Sequence, residues 1–328
     1  MSVLIFAELD EGKIKKSAQE AIFYGARVAQ MLGTSATAIV IGQSSDDELA
    51  SAGRFGATNV LHASDAKLTE PNGMAYATVV AQAAQQEGSK VIVLAKSSLG
   101  DAMTARLAGK LKAGLAANVV ELPDLSNGFR VKSSIYTGKA FAYNDLKADV
   151  KILAIKKNTI TPEETEASAS VKAFSPTLND ADFSISVKST DKSSGDILLP
   201  EADLVVSAGR GLKGPENWGI VEDLAKSLHA ATACSKPVSD LDWRPHSEHV
   251  GQTGLKISPN LYIACGISGA IQHLAGVNSS KTQMPRSSNR QIMGLSGMYS
   301  TSFPALRRPC RLCSRNRKPE RLSAGSHQ

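Results

Sequence analysis

The chain has 328 residues, 42% of them hydrophobic and 21% charged, with a formal charge of +6. That length and apolar content suit two domains with a core each, and they exclude a disordered chain. The charge is local: residues 283–328 hold nine Lys or Arg against one Glu, and taking that +8 from +6 leaves −2 for residues 1–282. The folded part is therefore near neutral, which excludes a nucleic-acid surface. No membrane span or signal peptide is present, and strand-like sequence from Val3 leaves no room for a transit peptide, so cytoplasm is the expected compartment. Cys234 and Cys265 stand alone in apolar sequence, which fits a reducing compartment without a disulfide framework.

Taken in order, residues 3–9 predict a strand and 16–32 a helix, with Ala18, Ala21, Ile22, Gly25, Val28, Ala29 and Leu32 on one face. A strand at 36–41, a short helix at 46–52, a short strand at 59–62, an Ala-rich helix at 73–86 and a strand at 91–95 follow. This alternation predicts an α/β fold with a parallel sheet covered on both faces. Residues 96–100, before a helix at 101–111, offer Ser97, Ser98 and Gly100 as either a phosphate cradle or an ordinary capped turn. Residues 134–136, 139–143 and 150–156 alternate as antiparallel edge strands do, and 183–187 reads as a last edge strand. Residues 188–195 are polar and flexible in composition, a linker.

A second α/β unit opens with an apolar strand at 202–207 and the turn Gly209, Arg210, Gly211. Pro215 and Glu216 precede a helix at 218–229, and a strand at 231–234 ends at Ser235, Lys236 and Pro237. A strand at 261–265 is unbroken by polar residues, as a strand buried on both faces would be. Gly266 and Gly269 then permit a tight turn, Ser268 is placed to cap, and 270–275 begins a helix. Strand, small-residue turn and helix start together predict an anion site, for a pyrophosphate, with Gln272 and His273 placed to reach a ring or ribose. Strand ends in an open α/β sheet share one rim, so Arg210, Ser235, Lys236, Gln252, Thr253 and residues 268–273 converge. Each also has a plainer reading: Arg210 as a solvated charge, Thr253 as a turn residue, His273 as a helix histidine on a polar face. His229, His246 and His249 lack metal-ligand spacing and read as surface or loop residues.

Three stretches carry a resemblance: Gly-Arg-Gly-Leu-Lys at 209–213, Val-Gly-Gln-Thr-Gly at 250–254, and Gly-Ile-Ser-Gly-Ala-Ile-Gln-His-Leu-Ala-Gly at 266–276. They resemble the flavin domain of the alpha subunits of electron transfer flavoproteins, over roughly residues 1–282. The resemblance implies two parallel-sheet domains. The first, at 1–190, is a nucleotide-hydrolase-like α/β domain that holds no flavin and contacts a beta subunit. A linker at 191–199 leads to a Rossmann-like domain at 200–282 that binds FAD. The implied cofactor contacts are Arg210, Ser235, Lys236, Val250, Gly251, Gln252, Thr253, Ser268, Gly269, Ala270, Ile271, Gln272 and His273. Thr253 would lie by the reactive nitrogen of the flavin ring. His273 would lie near the pyrimidine carbonyl oxygen, where a donor or positive charge stabilises negative charge on the ring. No catalytic residue and no metal is implied. Such a chain is an electron carrier rather than an enzyme: it takes electrons from acyl-CoA dehydrogenases and other flavin dehydrogenases of fatty acid beta-oxidation and passes them to a quinone reductase. It would be cytoplasmic in a bacterium, or in the mitochondrial matrix of a eukaryote.

Two departures stand out. The family usually has arginine where this chain has Lys236, which keeps the charge and loses stacking and forked hydrogen bonding. After residue 282 the family's buried strand, asparagine turn and Ala-Asp-Tyr-Gly segment are replaced by a basic stretch with no apolar run of strand length before Arg317. Codons chosen as CGG CAG ATT ATG GGA TTA for residues 290–295 read, in a shifted frame, as Ala-Asp-Tyr-Gly-Ile. An aberrant, frameshifted and disordered tail at 283–328 is expected, in which Cys310 and Cys313 and the basic run have no role. The alternatives are an NAD-dependent enzyme on a Rossmann-like domain, opposed by the lack of a Gly-x-Gly-x-x-Gly turn followed by an acidic residue, and a truncated product with impaired FAD binding.

Overall fold

In the computed structural model, residues 2–138, 140–185, 198–277 and 292–295 are described. Their organising feature is a nine-stranded sheet. In chain order its elements are β1 (Ser2–Ala7), a small hairpin of β2 (Leu9–Asp10) and β3 (Lys13–Ile14) outside the sheet, α1 (Lys16–Met31), β4 (Ser35–Ile41), α2 (Asp46–Ala50), β5 (Asn59–Ala63), α3 (Gly73–Gln86), β6 (Val91–Ala95) and α4 (Ser98–Leu111). Then come β7 (Gly114–Val119), β8 (Arg130–Ile135), β9 (Ala140–Asp145), β10 (Lys151–Ile155) and β11 (Ser170–Ala173). The spatial order is β11-β5-β4-β1-β6-β10-β7-β8-β9, parallel from β11 to β7 and antiparallel at β8 and β9.

The apolar face read for α1 is the face it buries, from Ala18 to Ala29, while Leu32 caps the helix half-exposed. Glu20 is buried on that helix too. Its carboxylate accepts from the Asn158 and Ile160 amides, so the charge is held by backbone donors. The helices α3 and α4 cover the opposite face of the sheet with an Ala-rich and Leu-rich core.

Three expectations need correction. Residues 150–156 do not make an antiparallel edge strand: β10 runs parallel between β6 and β7, with Ile152 to Ile155 buried. The lysines at its two ends imitate alternation, but the residues between them are continuously apolar, the pattern of a parallel strand covered on both faces. Residues 183–185 are not strand either. A 3-10 turn at Asp180–Phe183 is fixed by Asp182, which accepts from Thr78 Oγ1 and the Asn179 amide, and the edge strand is instead β11 beside β5. Residues 186–197, with most of the expected linker, lie outside the described residues.

The third correction concerns the tail. The second sheet contains β12 (Leu204–Ala208), β13 (Ala231–Cys234), β14 (Leu261–Cys265) and β15 (Ile292–Leu295), in the order β13-β12-β14-β15 and parallel throughout. Thus residues 292–295, expected to be disordered, pair with β14 in the register Tyr262 to Ile292. The free edge of β14 presents backbone donors and acceptors that any short extended segment satisfies. The rest of the tail, Cys310 and Cys313 included, lies outside the described residues. Helices α5 (Gly219–Leu228), α6 (Lys236–Ser239) and α7 (Ile271–Leu274) complete this part. Among the described residues no helix is long and apolar enough to cross a membrane.

Close packing makes one prediction. A Cβ at Gly25 of α1 would lie 2.4 Å from Ile5 Cγ1 in β1, whereas one at Gly33 meets nothing within 4 Å. Gly25→Val should cost about 2–3 kcal/mol through overpacking, measured by urea unfolding. Equal midpoints for Gly25→Val and the unsubstituted chain would contradict this packing.

Candidate cofactor site

The strands β13, β12 and β14 are parallel, with Ala208 beside both Cys234 and Cys265, so the residues that follow them leave the sheet at one rim. Here the chain doubles closely on itself. The Gly209 amide donates to the Cys265 carbonyl at 2.9 Å and the Gly211 amide to the Gly266 carbonyl at 3.0 Å. A Cβ at Gly209 would fall 2.4 Å from the Gly266 oxygen, and one at Gly211 2.6 Å from Gly266 Cα. Gly266 itself has φ of +62°. Only glycine fits this approach, and between the two glycines Arg210 is left exposed.

The other residues of the rim arrive by short bonds. Ser235 is buried and its amide donates to the Ala208 carbonyl at 3.0 Å, which leaves Lys236, the first residue of α6, exposed. Val250 is tied to β13 through its amide and the Cys234 carbonyl, 3.0 Å. Gln252 donates its amide to the Gln272 carbonyl at 2.8 Å, and a Cβ at Gly276 would fall 2.3 Å from the Gly251 nitrogen. So the 250–254 turn lies against α7, with Gln252 and Thr253 exposed at its tip. The structure thus brings the turns that carry Arg210, Ser235, Lys236, Val250 to Thr253 and Gln272 to one rim, and residues 268–271 connect β14 to α7 beside them.

Their roles differ from the sequence reading in two ways. Helix α7 has four residues and its N-cap is Ala270, with no side-chain cap, so Ser268 does not cap it. A single turn carries little dipole, and positive charge at the rim comes instead from Arg210 and Lys236. Gln272 is exposed, but His273 is turned inward at 7% exposure, with Nε2 2.7 Å from the Tyr262 hydroxyl. Burial holds its imidazole below the usual histidine range, with the Val250 backbone opposing.

Sequence reasoning missed the second buried imidazole. His229 and His246 are exposed as expected, but His249 is 1% exposed. Burial and the neighbouring His246 hold its pKa down. A histidine followed by one apolar residue and a glycine gives no burial signal. The anchoring of this segment was more legible: Arg244 reaches Glu248 at i+4, 2.6 Å, and Glu222 of α5, 2.8 Å, with its guanidinium over the Trp218 ring.

The cradle suggested at 96–100 is a capped turn. Ser97 accepts from the Gly100 amide at 2.9 Å and donates to Glu8, and Lys96 pairs with Asp101. Two carboxylates beside it make the turn unwelcoming to a phosphate.

With this geometry in view, comparison with known proteins is decisive. Residues 3–179 match the electron transfer flavoprotein domain, and residues 198–278 the electron transfer flavoprotein FAD-binding domain. The chain belongs to the electron transfer flavoprotein alpha subunits. It is 31% identical to the electron transfer flavoprotein subunit alpha of Bacillus subtilis over 284 residues, covering 85% of this chain and 86% of that one. The corresponding subunit of Syntrophomonas wolfei is 34% identical over 279 residues, 84% and 86% of the two chains. A probable mitochondrial subunit alpha of Caenorhabditis elegans is 31% identical over 281 residues, 85% and 82%. The cofactor of the family domain is FAD. The rim fits such a cofactor: glycines that admit no Cβ bring two backbone turns together, with Arg210 and Lys236 exposed after the strand ends. The NAD-enzyme alternative is not favoured.

Two buried imidazoles with lowered pKa values set an acid limit. The unfolded chain binds protons near pH 6.5 more readily than His249 and His273 do when folded. The stability they contribute is therefore full above 6.5 and is lost as pH falls through their lower folded values. Both tryptophans, Trp218 and Trp243, lie in this part of the chain. Urea midpoints followed by their fluorescence should fall from about pH 7.5 to about 5.5, and fall less in His273→Gln. Midpoints independent of pH would contradict the burial of both rings.

Proposed function

We propose that this alpha subunit carries electrons on non-covalent FAD bound at the rim of the β12–β15 sheet, as a carrier rather than an enzyme. The observation that supports this most is the convergence of Arg210, Lys236, Thr253 and Gln272 on one rim, beside backbone turns that only glycine allows. FAD, when bound, supplies the one- and two-electron chemistry; the chain's residues bind and orient it. Arg210 and Lys236 neutralise the pyrophosphate and the reduced ring, the glycine turns let backbone approach, and Gln252 and Thr253 offer polar groups to the ring edge. Ser235, Val250 and Gly251 hold those residues in place, and residues 268–271 line the same rim. His273, linked to Tyr262, backs the site from the protein side.

In this reading the nine-stranded sheet forms a first domain of residues 1–190 and the four-stranded sheet a second, from residue 200. The beta subunit meets the first. In support, β9 ends that sheet with no further strand beside it among the described residues, and Tyr136, Phe141 and Tyr143 around it are 77%, 51% and 66% exposed. Electrons arrive from flavin dehydrogenases such as acyl-CoA dehydrogenases of beta-oxidation and leave to a quinone reductase, in the cytoplasm of a bacterium or the mitochondrial matrix. The tail from residue 283 replaces the family's ending by a frameshift, and FAD affinity is reduced accordingly.

The chain co-expressed with its beta subunit should purify yellow, and a frame-restored version should hold about one FAD per heterodimer more tightly. A colourless frame-restored complex that binds NAD in calorimetry would reject the proposal, and equal FAD retention by both versions through gel filtration would reject the weakened ending.

Lys236→Arg gives a finer test. A planar guanidinium interacts with a ring face differently from an ammonium, so the first one-electron potential of bound FAD should shift. Indistinguishable spectroelectrochemical titrations would show that residue 236 does not tune the ring.

A further inference from the structure

We propose that His249 is a positioning residue whose imidazole fills the inside of the 249–255 turn and props Gln252 and Thr253 toward the cofactor. This rests on the reading that the tip faces FAD. The turn closes on itself through the Leu255 amide to the His249 carbonyl, 2.8 Å, and the Gly251 amide to the Leu255 carbonyl, 3.3 Å. Inside it, the ring occupies the space that two absent side chains would need. A Cβ at Gly254 would lie 2.7 Å from His249 Nδ1 and 2.8 Å from Cγ, and one at Gly251 3.2 Å from Nε2. Gly254 is required there, since its Cβ would also lie 2.4 Å from the His249 carbonyl oxygen, and a side chain at Gly251 would crowd the ring.

The prop is anchored at both ends. On one side His249 bridges to Cys234 at the end of β13. On the other, the tip is pinned to α7 by the Gln252 amide and the Gln272 carbonyl. The ring is 1% exposed, so it touches no ligand itself; it acts through the backbone that carries Gln252 and Thr253. Its Nδ1 has no hydrogen-bond partner among the described residues, so volume rather than a specific bond is what the ring contributes.

Charge around it favours the neutral ring. Lys236 of α6, His246 at 5.2 Å between ring centroids, and His273 of α7 through the neighbouring turn bring positive or protonatable groups. Asp240, just after α6, opposes them, while Glu248 is engaged by Arg244. A proton on His249 places charge inside a closed turn and displaces the tip.

The test uses the full chain with its beta subunit and the variants His249→Ala, His249→Gln and, as a control on an exposed ring, His229→Ala. Backbone amide exchange is read first, without cofactor. His249→Ala should speed exchange at residues 250–255, and His249→Gln, of similar volume, should restore most of the protection. FAD is then added. His249→Ala should weaken its binding at least about tenfold, as a small displacement of a positioning group does, with His249→Gln near the unsubstituted value and His229→Ala unchanged. The absorption of bound FAD should also change between about pH 7.5 and 5.5 in the unsubstituted complex, and less in His249→Gln. Faster exchange or a lower melting temperature in His249→Ala with unchanged FAD affinity would overturn the proposal and leave the cofactor site standing. If His249→Ala gives no soluble complex, identical pH dependence in the unsubstituted and His249→Gln complexes would overturn it, and a lost dependence would support it. If no form binds FAD, the frame-restored chain included, the placement of the cofactor falls, and unchanged exchange at 250–255 in His249→Ala would remove the prop as well.

Discussion

The close approach of two strand ends is the constraint on which the second sheet depends. Gly209 and Gly211 leave β12, Gly266 leaves β14, and their backbones meet with no side chain between them. This contact fixes where β12 and β14 stop relative to one another, and therefore which residues stand at the rim. Arg210 is exposed because its neighbours have nowhere to put a side chain. A methyl group at either glycine would push the two turns apart, and with them the surface that cations and backbone amides offer together.

The rim then separates two kinds of charge. Its cations, Arg210 and Lys236, stay in water, where they cost little until an anion arrives. Its imidazoles, His249 and His273, are buried and held neutral. A charged imidazole at either place would stand unpaired in a poorly solvated interior, an expensive arrangement. Neutrality lets the rings serve as packing, one against Tyr262 and one against two glycines, while the field at the rim comes from solvated residues.

How far this could be read from sequence depended on whether a residue's role was local. The boundaries of α3, β6, β13 and β14 follow from caps and apolar runs, and Asn72 caps α3 through the Met74 and Ala75 amides. The convergence of the site also followed, because parallel strands deliver their ends to one rim whatever their side chains. Pairing was less legible: β7 was overlooked beside its glycine, β11 is short and exposed, and β10 looked like an edge because lysines bracket it. The inward turn of His273 and the burial of His249 depend on Tyr262 and on the vacant space above Gly251 and Gly254, which no spacing along the chain announces.

The expectation of disorder from residue 283 rested on composition, and composition describes side chains. A parallel sheet edge recruits backbone, and β14 presents a full ladder of donors and acceptors beside Tyr262 to Cys265. Four residues meet that demand whatever their side chains, because the ladder reads φ and ψ rather than identity. What such pairing cannot supply is chemistry beyond the strand's end, which needs particular side chains at particular positions. Backbone pairing and ligand recognition can therefore part company in this chain, one satisfied by almost any extended segment and the other only by the right one.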